Sequence, residues 1–568
     1  GLWQGFPAIG DHQEIAIGDV WLEKAPSKLS ITAVAALSSY RQSKVFGYVK
    51  NANPDGQKGG AKLGFSFVAE NSKKEFSEKF ELSGEPEQIV KFSEKWKNPL
   101  LWDVENPNLY KMTVALSADS SVLDTFPSRD FGFREMWVEN GGFMLNGKKT
   151  RLRMWTSPAL NRLRQYFINP ASMAQHIAHI KELNYDTVRF DPLERLSQVA
   201  WDAYLNECDR AGLYNLFPMP PYNDENMETY SREVSRFFEC YGSRPSIIMW
   251  YTDFNTCSYP WNQDPAKLTD YDYNPPYLQA ARARTRVADK TMRAIDPTRE
   301  IFQHAGGNSS EIFTSMNYQS FGTPLREQAD WPKQWAQKHT PPLMVVVSAF
   351  PYSAQYDYFD DRSVGTLGAE HAARYFGDSA FLAEKSPAPH PFYVFGAYSN
   401  PDPNMLRLSE MVYRNVVKAW RAYDMSALGD FPEGRDLGRT AVSYDRHNAV
   451  FDQIPDPNPK KAGLRFDQPV GGSEAQSHVL GDYTRRVGVN SVVRESFEPL
   501  LVFLGGDPED FTERTHMYYS GEKFRKSAVI VNDKTSAQKL SFKWTLTLAG
   551  REIAGGEFAK TVDAGGIE

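Results

Sequence analysis

A short apolar run followed at once by polar residues is the first stretch of this sequence with the means to do chemistry. Residues 247–250 are apolar, as in a strand buried on both faces, and Pro245 precedes them. Asp253 and Asn255 follow within five residues. Parallel strands of α/β barrels carry their catalytic residues where the strand ends. The run therefore predicts a functional site at the end of this strand.

The carboxyl group of Asp253 is the candidate acid at this strand end. Side chains two residues apart on a strand point the same way, so Asp253 and Asn255 are expected on one side. A carboxyl group whose pKa is raised can protonate a leaving group, whereas an amide can only hydrogen-bond. The alternative is a loop aspartate that caps backbone N–H groups.

Polar residues end several other predicted strands. A cation or amide that neutralises a carboxylate on a substrate, with a Tyr or His as base and acid, is the set that β-elimination requires. The alternative is that these residues only bind hydroxyl groups of a ligand. The candidate catalytic residues are Asp253, His304 and Tyr318. The candidate substrate-binding residues are Arg189, Trp250, Tyr251, Asn255 and Asn317.

No spacing in the sequence indicates a metal or cofactor site. The ten His residues never form H-E-x-x-H, and we expect His176 and His179 to be an exposed pair on a helix. No P-loop and no G-x-S-x-G is present. We therefore expect neither a metal nor a cofactor.

Eight predicted strands alternate with helices and would place these residues at one end of a barrel. The strands are expected at 150–155, 185–190, 213–217, 246–251, 301–304, 312–318, 343–348 and 425–430. Helices are expected at 173–183, 199–211, 229–240, 277–295, 370–384 and 405–423. This order predicts a (β/α)₈ barrel over 131–435. A doubly wound sheet is the alternative, but no G-x-G-x-x-G follows a strand.

The barrel is expected to be flanked by β-sandwich domains. Period-two runs with turns every ten residues or so predict an immunoglobulin-like sandwich over 30–130, and residues 1–29 would be the tail of a jelly-roll-like β domain. Residues 143–149 predict a hairpin with an Asn-Gly turn. Residues 436–512, rich in Pro, Asp and Gly, predict an irregular linker, and 513–568 the start of a second sandwich. We expect further chain before residue 1 and after residue 568.

Bulk composition limits the partners. The 568 residues carry a net charge of −7 without a basic stripe, so we expect no nucleic-acid partner. No apolar run approaches about 20 residues, so we expect no membrane span. Aromatic residues make up 13% of the chain, which suits sugar stacking and equally suits large β-rich cores.

Specific strings now indicate a family. The chain resembles glycoside hydrolase family 2, which includes β-galactosidases and β-glucuronidases. The strings that resemble its motifs lie in order and cover about residues 1–435: Leu101-Trp-Asp-Val-Glu-Asn-Pro-Asn-Leu-Tyr110, Phe131-Gly-Phe-Arg-Glu135, Phe143-Met-Leu-Asn-Gly-Lys148, Lys181-Glu-Leu-Asn-Tyr-Asp-Thr-Val-Arg189, Arg244-Pro-Ser-Ile-Ile-Met-Trp250 and Pro342-Leu-Met-Val-Val-Val347.

The resemblance implies two catalytic glutamates that this sequence does not have. The family's acid/base Glu corresponds here to Asn255, and its nucleophile to Val347, or to Ser348 with a one-residue slip. Retaining hydrolysis needs two carboxyl groups about 5–5.5 Å apart. The standard mechanism therefore cannot run on these residues.

Three hypotheses follow for a protein that binds a carbohydrate at the C-terminal ends of the barrel strands. The first is a divergent glycosidase that acts on a β-linked glycoside or polysaccharide with non-standard catalytic residues. The second is a lyase-like enzyme on an acidic uronate polysaccharide. The third is an inactive relative that binds sugar or builds an assembly. The family resemblance alone implies a secreted or periplasmic protein, and the oligomeric state stays open.

Overall fold

The computed structural model describes most of the chain. The described residues are 28–119, 121–157, 170–190, 198–220, 226–251, 276–304, 306, 312–318, 323–338, 341–349, 373–380, 411–430, 489–514 and 517–568.

The first domain is a β-sandwich, as predicted, and it has seven strands. One sheet has the antiparallel order β1-β2-β5 and the other the order β4-β3-β6-β7. The strands are β1 (Ser30–Ser39), β2 (Lys44–Ala52), β3 (Lys58–Ala69), β4 (Ser72–Ser83), β5 (Glu87–Lys95), β6 (Tyr110–Ala118) and β7 (Ser121–Phe131). Alternating residues of β3, such as Leu63, Phe65 and Phe67, are buried between the sheets, as period-two patterning requires.

A small hairpin sheet joins the sandwich to the barrel. Its strands are β8 (Met136–Glu139), β9 (Gly142–Leu145) and β10 (Lys148–Thr150). Asn146 and Gly147 have φ values of 50° and 81°, the left-handed pair that a two-residue hairpin turn needs. The predicted Asn-Gly hairpin is therefore confirmed. Its apolar side chains Met136, Phe143 and Leu145 join the core of the barrel interior.

The central domain is a nearly closed barrel of eight strands with the order β15-β14-β13-β12-β11-β18-β17-β16. All seven strand pairings are parallel. The strands are β11 (Leu152–Ser157), β12 (Thr187–Phe190), β13 (Tyr214–Pro218), β14 (Ile247–Tyr251), β15 (Glu300–Phe302), β16 (Phe313–Tyr318), β17 (Leu343–Ala349) and β18 (Ala427–Asp430). The predicted barrel is confirmed.

A side chain bridges the seam between β15 and β16, where the described residues show no strand pairing. The Thr314 hydroxyl donates to the Gln303 carbonyl at 2.5 Å and accepts from the Gly306 N–H at 2.9 Å. The hydroxyl thus substitutes for a backbone ladder at this point and keeps the barrel wall continuous.

Helices pack around the strands. They are α1 (Pro170–Glu182), α2 (Gln198–Ala211), α3 (Met227–Tyr241), α4 (Pro276–Ile295), α5 (Leu325–Asp330), α6 (Lys333–Ala336), a 3₁₀ turn (Gly377–Ala380), a π turn (Tyr413–Val417) and α7 (Lys418–Ala422). The Asn226 side chain caps α3 by accepting from the Thr229 N–H. In the described part of the chain no helix is both long and apolar enough to cross a membrane.

The C-terminal region differs from the prediction. Residues 489–512 are not an irregular linker, since they contain α8 (Val489–Ser496) and β19 (Leu500–Gly505). β19 pairs with β20 (Ser527–Asn532), so the second sandwich begins at residue 500 and not at 513. The hairpin of β21 (Gln538–Leu548) and β22 (Arg551–Val562) completes its described strands.

Asp533 ties the second sandwich to the base of the barrel. Its carboxylate accepts from Arg151 at 2.6 Å, Arg421 at 2.8 Å and Arg153 at 3.3 Å. Only 2% of its side chain is exposed. Burial alone would raise the pKa of Asp533, but the three guanidinium groups outweigh it and hold that pKa well below the usual range.

Candidate functional site

The interior of the barrel changes from apolar to polar along its axis. Its lower part, toward the N-terminal ends of the strands, is filled by side chains such as Leu152, Met154, Leu216 and Met344. Their packing closes the lumen from below. A ligand can therefore enter this barrel only from the C-terminal side.

Arg189 and His304 form the polar floor of the upper lumen. Arg189 lies next to the last residue of β12, and His304 lies two residues beyond β15. Each is only 1% exposed. Burial first, and the positive charge of Arg189 second, lower the pKa of His304 well below its ordinary value of 6.5. The floor thus combines a fixed cation with a neutral imidazole.

Tyr251 lies in the same lumen, at the end of β14. It is fully buried, and its ring packs against Phe302 with a centroid separation of 5.1 Å. The sequence predicted Arg189, His304 and Tyr251 as site residues separately, and the structure brings them to one end of one lumen. Their contacts with a ligand stay a prediction.

Thr156 at the tip of β11 is a lumen residue that the sequence analysis missed. Its hydroxyl donates to the Val346 carbonyl of β17 at 2.9 Å, across the intervening strand β18. Gly429 of β18 makes this approach feasible, since a Cβ there would lie 2.5 Å from the same carbonyl oxygen. Thr156 directly follows the strand predicted at 150–155, and a polar residue at that position was the signal that could have identified it.

Trp250 does not face the lumen, which corrects its assignment as a substrate-binding residue. Its indole N–H donates to the Asp296 carboxylate at 2.7 Å, and the Arg299 guanidinium lies 5.2 Å from its ring centroid. The side chain belongs to the core between strands and helices. Adjacent strand residues face opposite sides, so a lumenal Tyr251 requires an outward Trp250.

Two buried arginines that the sequence analysis did not single out hold the base of β14. Arg134 and Arg299 both donate to the Ile247 carbonyl, Arg299 at 2.7 Å, and Arg134 also donates to the Pro245 carbonyl at 2.9 Å. Burial, and next the charge of Arg299, lower the pKa of Arg134 well below its usual range. Arg134 belongs to the Phe-Gly-Phe-Arg string, which was the available signal. Through it the sandwich fixes the strand that points at the site.

The remaining predicted residues are placed only in part. Asn317 is buried near the end of β16, and Tyr318 is the last residue of that strand. Val347 lies near the end of β17, opposite Met316. The sequence therefore puts an apolar residue where the family resemblance implies the nucleophile. Asp253 and Asn255 lie outside the described residues.

The buried carboxylates near the barrel are engaged in structural contacts. Asp186 pairs with Arg153, Asp209 with Arg244, and Asp296 with Arg299. Within the ranges given above, no group of three or more His, Cys, Asp or Glu side chains is arranged to hold a metal ion. The described lumen thus contains a cation, an imidazole and hydroxyl groups.

Comparison with known proteins agrees with this architecture. Residues 31–134 match the model of the family Glycosyl hydrolases family 2. The fold is similar to that of a β-D-mannosidase from Dictyoglomus thermophilum, with a TM-score of 0.57 and 12% identity; the match covers 95% of this chain and 62% of that one. A putative β-galactosidase from Bacteroides fragilis matches with a TM-score of 0.49 and 16% identity, over 95% of this chain and 69% of that one.

The family match lies in the first sandwich, and the likeness to the mannosidase extends over the sandwich, the barrel and the second sandwich. This chain spans 62% of the length of the mannosidase that it resembles. Sequence strings, domain order and barrel thus agree, and they identify the chain as a divergent protein similar to family 2 glycoside hydrolases.

Proposed function

We propose that this protein is carbohydrate-active and takes a β-linked glycoside at the C-terminal end of the barrel, with residues other than the paired glutamates of its family. The observation that carries the proposal is the polarity of the lumen. Arg189 and His304 lie at its upper end, above an apolar lower half. A polar floor above an apolar, packed lower half suits a ligand rich in hydroxyl groups.

Arg189 and His304 support the ligand from beneath. Because each is 1% exposed, they are floor residues and not groups at the open surface of the site. A buried guanidinium keeps its charge, and in a medium of low dielectric that charge acts over several ångströms. The floor therefore favours an anionic sugar over a neutral one of the same shape.

In the hydrolytic version of the proposal, Asp253 is the acid. It protonates the glycosidic oxygen as the bond from that oxygen to C1 breaks. A water oxygen then bonds to C1, and the proton it releases returns to Asp253 through solvent. Asn255 and Val347 stand where the resembling family has its two catalytic glutamates. This step uses neither residue, so it is compatible with their lack of a carboxyl group.

The positive charge of Arg189 favours a uronate as a second candidate substrate. In β-elimination a base removes the proton at C5, the electron pair forms the C4–C5 double bond, and the C4 oxygen leaves with a proton from an acid. Arg189 would stabilise the carboxylate while negative charge builds up on it. Because His304 is buried, Tyr318 is the acid or base that we propose for this step.

Product analysis separates the versions. The protein is incubated with β-glucuronides, β-galactosides, β-mannosides and the β-1,4-linked uronate polymer polymannuronate, and the masses of the products are measured by mass spectrometry. Hydrolysis adds the mass of water, whereas elimination adds nothing and gives an ultraviolet-absorbing unsaturated uronate. Asp253→Asn should abolish the first and Tyr318→Phe the second, while each leaves ligand binding in place. Binding with no product from any substrate would show an inactive sugar-binding protein. No binding and no product would refute the proposal.

A further inference from the structure

The connection between β19 and β20 exposes apolar side chains to an unusual extent. We define residues 517–526 as the aromatic loop. Met517 and Tyr519 are 86% and 88% exposed, and Tyr518 and Phe524 are 37% and 44% exposed. Aromatic and thioether groups in water are costly unless they have a partner, so a cluster of them marks a binding surface.

The loop is held in shape by its own contacts. The rings of Tyr518 and Phe524 are stacked, with centroids 4.4 Å apart. Glu522 closes a turn with Tyr519, since its backbone N–H donates to the Tyr519 carbonyl at 3.0 Å and its carboxylate accepts from the Tyr519 N–H at 2.7 Å. Gly521 has a φ of 86°, which this turn requires. The rings are thus presented in advance of binding.

The chain that leads into the loop is fixed to the flank of the barrel. The Thr512 hydroxyl donates to the Asp330 carboxylate, which also accepts from Tyr423. Two residues later, the Arg514 side chain donates to the Arg414 carbonyl at 3.2 Å. The loop therefore follows a segment that is held on the barrel by two side-chain contacts.

The charge of the loop is opposite to that of the protein. It contains three cations and one anion, a net +2 in a chain of net −7. Arg525 pairs with Asp507, while Lys523 and Lys526 flank Phe524 at a distance of one and two residues. The Lys526 ammonium group lies 5.7 Å from the centre of the Tyr518 ring. Aromatic faces beside cations suit a polymer with sugar rings and carboxylates.

We propose that the aromatic loop is an accessory site for the chain of an acidic polysaccharide whose end lies at the barrel. The rings stack on sugar faces, and the lysines attract uronate carboxylates. The site rests on the proposed carbohydrate function, since it deepens that function by naming a uronate polymer as the substrate class.

Binding of the β-1,4-linked uronate polymer polymannuronate to the full chain tests this site, with mannuronate monomer as the short ligand and β-1,4-linked hydroxyethylcellulose as a neutral polymer. Tyr519→Ala removes an 88% exposed ring that contributes nothing to the core. Tyr519→Phe keeps the ring, and Trp544→Ala removes a 49% exposed ring on β21 as the matched control. We expect Tyr519→Ala to weaken polymannuronate binding by about tenfold and leave monomer binding unchanged, with both controls like wild type. Added salt should weaken the binding of polymannuronate and not that of hydroxyethylcellulose.

The outcomes separate this site from the proposed function. If polymer binding is the same in Tyr519→Ala and wild type, the accessory site is refuted whatever the barrel does. If the wild type converts small glycosides but binds no polymer, the accessory site fails and the proposed function stands. If Tyr519→Ala loses polymer affinity in a protein that makes no product, the accessory site stands and the catalytic proposal fails.

Discussion

Loss of the Asp533 carboxylate should detach the second sandwich from the barrel. Asp533→Asn keeps the size of the side chain but removes the charge that three arginines share. Without the Asp533 charge, Arg151 still pairs with Asp424 and Arg153 still pairs with Asp186. The main loss of free energy therefore falls on Arg421, whose ion pair is with Asp533. Breaking a buried ion pair from one side costs about 3–5 kcal/mol. Because two of three arginines keep a partner, we expect the lower end, about 3 kcal/mol.

The assay is chemical denaturation monitored by a probe in the second sandwich, with limited proteolysis beside it. A chain of several domains does not unfold in one step, so the transition of this sandwich is the relevant one. Asp55→Asn is the matched control, because its pair with Lys28 is largely exposed and should contribute little. If Asp533→Asn lowers the free energy of unfolding by less than about 1 kcal/mol, this ion-pair cluster does not hold the second sandwich on the barrel.

The pH dependence gives an independent check on the same variant. The pKa of Asp533 is lowered in the folded state, so the folded protein keeps the carboxylate charged where the unfolded chain has already taken up a proton. The stability it contributes is therefore present above the unfolded pKa of about 3.9 and is lost as the pH falls below it. The difference between wild type and Asp533→Asn should be constant from about pH 5 to 8 and shrink below about pH 4.

Three further predictions follow from single sites. Trp250→Phe removes the hydrogen bond to buried Asp296 and should lower the free energy of unfolding by about 1.5–3 kcal/mol, measured by denaturation; a loss of sugar binding at unchanged stability would contradict its structural role. His304→Gln should flatten the fall in stability that the wild type shows below about pH 6.5, because the unfolded chain protonates His304 while the folded protein resists it. Gly47→Ala would place a Cβ 1.8 Å from the Ala35 carbonyl oxygen and should cost on the order of 4 kcal/mol by thermal unfolding, whereas Gly60→Ala, with 3.7 Å of clearance, should cost little.

Apolar strands were predictable from the sequence and polar ones were not. The eight barrel strands are buried on both faces, so each is a short apolar run that stands out between helices. β4 and β7 do not stand out as apolar runs, because they lie at the edges of the sandwich and carry many charged or polar residues, such as Lys73, Lys74 and Glu75. These two segments are strands because they pair with β3 and β6, and the pairing of distant segments cannot be seen in a single sequence.

The C-terminal region was misjudged for a different reason. The Pro, Asp and Gly content of residues 436–512 concealed the apolar run of β19, which is a strand because β20 pairs with it. The two paired strands are separated in sequence by residues 506–526, which include the aromatic loop. Composition averaged over a long segment thus hides a single short element.

The position of the candidate site residues in the barrel was predictable, but the orientation of their side chains was not. Strand ends located Arg189, His304 and Tyr251, because parallel strands in a barrel end at one face. Only one of the neighbours Trp250 and Tyr251 can face the lumen. The sequence alone did not show which of the two it is. A register irregularity between β13 and β14, at Asn215 and Leu216, shows how the pairing of neighbouring strands departs from simple alternation.

The central claim is that a sugar binds above the Arg189 and His304 floor of the barrel. Calorimetric binding of methyl β-D-glucuronide against methyl β-D-glucoside, to wild type and to Arg189→Met, tests it most directly. These ligands differ only in the carboxylate. We expect wild type to prefer the glucuronide by about tenfold or more, and we expect Arg189→Met, checked for an unchanged melting temperature, to lose that preference. A preference retained in folded Arg189→Met, or no binding of either ligand to wild type, would contradict it.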